Sequence, residues 1–112
     1  MVTNDEASAL LGGTITRTGP KEENRLVDCK WDNGGGGFLL ITVGQGAEFY
    51  DPDLTNPGWK PVSGLGDKAF EDDKTQSVGF IDGQTVVNLF VAFHQIAMPD
   101  LVGLARTADG RL

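Results

Sequence analysis

The sequence contains one cysteine and one histidine, and no apolar run approaches the ~20 residues that span a bilayer. Cys29 alone cannot form an internal disulfide, so cysteine usage leaves the redox compartment open. His94 alone excludes a multi-histidine metal site within one chain. Positive charge is scarce as well. Nine Lys and Arg stand singly against sixteen Asp and Glu, giving a net charge of −7 and a pI near 4.4. That balance repels phosphate backbones and anionic lipid, which argues against nucleic-acid or lipid-surface binding, and the lack of a long apolar run argues against direct membrane insertion of this domain. The opening residues Met1 to Glu6 show neither a basic n-region nor an apolar h-region. Two readings follow: a cytoplasmic protein, or a mature domain from which an export signal has been removed. Gly-x-Ser-x-Gly elbows, phosphate loops and His-Glu-x-x-His are all missing.

What is present suffices for one core. The 112 residues are 39% hydrophobic and include six Phe, two Trp and one Tyr, so a single domain over residues 1–112 is expected to fold without metal or cofactor. The pattern reads as α+β: an antiparallel sheet built from two β-hairpins, with a short N-terminal and a C-terminal helix packed on it. Thr3 and Glu6 form a capping box, Ala7, Leu10 and Leu11 share one helical face, and Gly12-Gly13 stops the helix. Thr14 to Thr18 alternates as a short strand, and Gly19 to Glu23 reads as a polar turn. Val27, Cys29 and Trp31 alternate on one face of a first strand, which the glycines Gly34 to Gly37 connect to Phe38–Val43. The second hairpin runs from Gln76 to Ile81, turns at Asp82-Gly83 and returns from Thr85 to Gln95. Pro99 suits the first turn of a closing helix with Leu101, Leu104 and Ala105 as its apolar stripe.

The strand from Thr85 is apolar on both faces. Val87, Leu89, Val91 and Phe93 form a core face, and Val86, Asn88, Phe90, Ala92, His94 and Ile96 the opposite one. Such a strand is usually covered on both sides. The second cover is the irregular stretch Gly44 to Gly66, a partner chain or a ligand. That stretch reads as a loop, with a helical turn around Ala47 to Tyr50 as the alternative. Its aromatics Phe49, Tyr50 and Trp59 serve either as a lid packed on the sheet or as a recognition surface.

Three motifs are weighed and set aside. Gly64-Leu65-Gly66-Asp67-Lys68-Ala69 matches the dinucleotide-binding pattern but lacks a buried strand before it and a helix after it, so it reads as a tight turn. Asp51-x-Asp53 resembles the start of a calcium loop, yet its sixth and twelfth positions are Asn56 and Val62 rather than Gly and Glu; Asp72 or Asp73 would have to complete any site. A Cys29–His94 dyad would need a reactive thiolate, whereas Cys29 falls on the expected core face and reads as an inert buried thiol.

Three stretches together resemble the small lipoprotein and secreted domains of unknown function found in actinobacteria: Val2 to Gly12, Cys29 to Trp31 and Val62 to Phe70, with Leu104 to Arg106 fitting the same layout. The resemblance implies an extracytoplasmic α+β domain, often lipid-anchored, with no established activity. Such domains often carry a second cysteine before the first helix, and this sequence has none there. The expected function is therefore that of a non-catalytic binding or accessory module, favoured in the bacterial cell envelope, for an unknown protein or small-molecule partner. Its candidate binding residues are Phe49, Tyr50, Trp59, Asn88, Phe90 and His94. A structural homodimer formed through Thr85–Gln95 is the alternative, and a Cys/His hydrolase the second.

Overall fold

Seven segments of alternating side chains pair into one antiparallel sheet, described over residues 2–52 and 54–112 in a computed structural model of the chain. The strands are β1 (Thr16–Glu23), β2 (Leu26–Asp32), β3 (Phe38–Gln45), β4 (Trp59–Pro61), β5 (Lys68–Asp72), β6 (Ser77–Asp82) and β7 (Thr85–Ala92), flanked by helices α1 (Asn4–Leu11) and α2 (Met98–Asp109). Their spatial order is β1-β2-β3-β7-β6-β5-β4. Two meanders thus meet at the β3–β7 pair, and residues 46–58 carry the chain from β3 in mid-sheet to the far edge at β4.

Register sorts the side chains onto two faces, because a strand's period is two. On one face Trp31 stands opposite Leu39, Ile41 opposite Leu89, Leu39 opposite Val91, and Val87 lies between Val43 and Phe80. Both helices cover this face, and Ala7, Leu11, Leu101, Ala105 and Ala108 join the same buried cluster. At roughly 1.5–3 kcal/mol for each fully buried large aliphatic or aromatic side chain, this cluster is the main stabilising element. Thr3 caps α1 reciprocally with Glu6, Trp31 Nε1 donates to Asn4 Oδ1 at 3.1 Å, and Arg111 donates to both Glu6 carboxylate oxygens at 2.6 and 3.0 Å. Those contacts fasten the first helix to the sheet and to the end of the second.

Both expected hairpins and both helices are present, the short strand expected over Thr14 to Thr18 forms the start of β1, and the sheet adds β4 and β5. The segment read as a polar turn, Gly19 to Glu23, continues β1 through a register shift between Thr18 and Lys21. A Cβ on Gly19 would lie 2.5 Å from the Asp28 carbonyl oxygen, so only glycine allows β1 to approach β2 there. Within the middle stretch, Ala47–Phe49 forms a single 3-10 turn. The Gly64–Ala69 segment is a turn opening β5, with Asp67 N–H donating to the Ile81 carbonyl at 2.7 Å.

Two expectations about burial need correction. Phe93 is not a core residue: β7 ends at Ala92, and Phe93 has φ 56° and is 85% exposed. Its left-handed backbone breaks the alternation, so Ile96, expected on the opposite face, packs against the core cluster instead. Cys29 does lie on the core face, but it is only half buried, because the helices do not reach over it.

Candidate functional site

The start of the crossover after β3, Phe49 and Tyr50, covers one end of the second face and leaves the other open. At the covered end Phe49 lies over Gly44, where an added Cβ would meet its ring at 2.9 Å, and Arg25 stands 5.2 Å above that ring. Tyr50 meets Phe70 at a centroid distance of 6.1 Å, and the Phe70 ring edge lies against Gly79, where an added Cβ would be 2.4 Å from Cε1. Burial raises the Tyr50 phenol pKa. Trp59 opens β4 opposite Asp72, with its indole N–H buried and unpartnered among the described residues. Phe49 and Tyr50 therefore act as a lid packed on the sheet, whereas Trp59 belongs to the edge strand β4, in the cross-strand row of Asp72, Ser77 and Phe90.

The open end is built on β3 and β7. Phe38 and Phe90 meet edge to face at 6.0 Å, Phe93 leans on Phe38 at 6.2 Å, and Lys30 Nζ sits 4.3 Å from the Phe38 ring. Leu40 lies between Lys30 and Phe90 in the same row. Phe90 is 37% exposed. Gln76 fixes this end: its amide nitrogen donates to the carbonyls of Val91 and His94 at 3.2 and 2.8 Å, and its oxygen accepts from Ile96 N–H at 3.0 Å. That clamp pins the backbone on both sides of Phe93, so the exposed ring stands on a held main chain. Positive φ in a phenylalanine costs roughly 1–3 kcal/mol, offset here by the surrounding hydrogen bonds.

The six expected binding residues thus separate. Phe49 and Tyr50 belong to the lid, and Trp59 to the edge strand β4. Asn88 lies in mid-face between Thr42 and Gly79, under the covered end. Phe90 belongs to the open patch, and His94 follows it with its Cβ beside Gly37. Sequence reasoning missed Phe38 and Phe93 as patch members. Phe38 could have been found from the alternation of β3, whereas Phe93 carries no sequence signal of its outward swing.

The structure does not bring Cys29 and His94 together. Cys29 pairs with Ile41 on β3, while His94 lies beside Gly37, four residues along and so roughly 13 Å away at the ordinary strand rise. Asp72 is 2% exposed and uses Oδ1 to accept from the N–H groups of Lys74 and Thr75, which closes the β5–β6 turn. No group of three or more His, Cys, Asp or Glu among the described residues could hold a metal ion; Asp53, part of the calcium-like pair, lies outside them. At the far end of α2, Asp82 has its pKa raised by a side-chain hydrogen bond with Asp109 and by the charges of Asp109 and Asp67. Among the described residues no helix is long and apolar enough to cross a membrane.

No protein-family model matches the chain, and comparisons with curated proteins and with solved structures found none that match it.

Proposed function

We propose that this chain is a non-catalytic binding module that docks a protein partner through the open aromatic end of its second face: Phe38, Leu40, Phe90 and Phe93. The observation that carries the reading is Phe93, a large apolar side chain held 85% exposed on a left-handed backbone that Gln76 clamps. An unneeded ring in that conformation costs stability and solubility together. Aromatic side chains, Phe among them, are also enriched in the cores of protein interfaces. The motif resemblance supports a place in the bacterial cell envelope, which fractionation of producing cells would test; recovery in the cytoplasm alone would remove it.

Affinity capture from the native host tests the docking face. Wild-type protein is expected to retain a partner that the Phe90→Ser/Phe93→Ser variant, equally folded by circular dichroism, loses. Equal recovery by both proteins would sink the proposal. A partner that proves to be a second copy of the chain favours the homodimer, since the same strand face would then close on itself.

A further inference from the structure

The helix-bearing face is also incomplete, and at a different place. Helix α1 is eight residues and about 12 Å long, and α2 packs on β6, so the β1–β2 side of the core face has no roof. There Val2, Pro20, Val27, Ile41, Val43 and Trp31 enclose a groove of about 310 Å³ with Cys29 on its floor. Val27, Cys29 and Val43 are only half buried although their strand neighbours Leu39 and Ile41 are 0% and 3% exposed. The wall comes from β1, whose register shift at Gly19-Pro20 turns Pro20 into the groove.

One charged group enters this apolar space. The Arg17 guanidinium stands 5.7 Å over the Trp31 ring and 3.9 Å from Cys29 Sγ. It makes no ion pair among the described residues, in a chain with sixteen acidic side chains, and no carboxylate lines the groove. A guanidinium positioned on an aromatic face, with donors unspent, suits a planar carboxylate. The apolar walls suit an aliphatic tail, and the volume falls at the lower end of small-ligand cavities. We infer that this groove binds an amphipathic organic anion, a monocarboxylate with a medium-length aliphatic tail, its head on Arg17 and its tail along Val27, Ile41 and Val43. The site is separate from the aromatic patch, on the opposite face of the sheet.

Cys29 supplies the readout without taking part in binding. Decanoate, kept below micelle formation, is expected to slow alkylation of Cys29 by iodoacetamide in a saturable manner. Arg17→Gln, an exposed position, should weaken that protection by about tenfold, the scale of one charge-assisted hydrogen bond. Decanol should protect the wild type no better than decanoate protects the variant. Three results would overturn the inference: alkylation indifferent to decanoate, a thiol closed to iodoacetamide without ligand, or equal protection by decanoate and decanol in wild type and variant. The last would mark an apolar groove with no head-group site.

Discussion

The two faces of the sheet are closed by different means. Helices cover one with aliphatic side chains that interlock, so Leu39, Val78, Phe80, Val87 and Leu89 are all 0% exposed. Single aromatic rings cover the other, Phe49 of the crossover over Gly44 and Phe70 of β5 against Gly79 with Tyr50 beside it, and they cover only that end. An amphipathic helix buries a stripe several residues long, whereas a loop anchors itself one side chain at a time. The helix face therefore holds the fold together, and the second face has apolar surface to present.

Substitutions on adjacent residues of β7 should separate the two roles most sharply. Leu89→Ala, on the helix face, should cost about 3 kcal/mol of unfolding free energy, whereas Phe90→Ala next to it should cost about 1 kcal/mol or less. Urea denaturation checks both, and similar losses would erase the distinction. Within the second face, Gly79→Ala should cost about 2 kcal/mol, because the new Cβ would lie 2.4 Å from the Phe70 ring and 2.6 Å from Asn88 Oδ1. An unchanged midpoint would mean that Phe70 does not lie against Gly79. Phe93→Gly should stabilise by about 0.5–1 kcal/mol, since glycine takes the left-handed backbone without strain and the lost ring is largely in water.

The smallest expected effect is a pH dependence in acid, confined to the helix side. Its hydrogen bonds with Arg111, then with the Thr3 backbone, lower the Glu6 pKa from 4.5 to about 2. A lowered carboxyl pKa stabilises the fold fully above 4.5 and loses that contribution as pH falls towards 2. Asp82 has the opposite sign: its raised pKa penalises the fold once the carboxyl is charged, and the penalty is gone below 3.8. Asp82→Asn should therefore stabilise at neutral pH and be neutral in strong acid. Hydrogen exchange should show α1 loosening between 4.5 and 2 while the amides around Tyr50 and Phe70 keep their protection.

Both hairpins and both helices were readable because their signals are local: period-two alternation in β2, β3, β6 and β7, Asp82-Gly83 at one turn, and the Thr3–Glu6 capping box. The edge strands were readable only at the start of β1, since Gly19-Pro20 and Pro61 are turn residues by propensity and only pairing makes them extended. The candidate site was half readable. Phe90 and the two-sided strand pointed to the face that carries the exposed aromatics, but the outward swing of Phe93 is imposed by the Gln76 side chain from a neighbouring turn, a contact no local pattern encodes. Likewise, the exposure of Cys29 depends on how far α1 and α2 reach, which alternation along β2 cannot show.

A photo-crosslinking residue placed singly at the two ends of the second face tests the central claim most directly. In host cells, benzoylphenylalanine at position 93 should yield a discrete adduct that Phe90→Ser diminishes, and the same probe at position 50 should yield none. Adducts at both positions or at neither, from protein that is folded and present at equal amounts, would contradict the account.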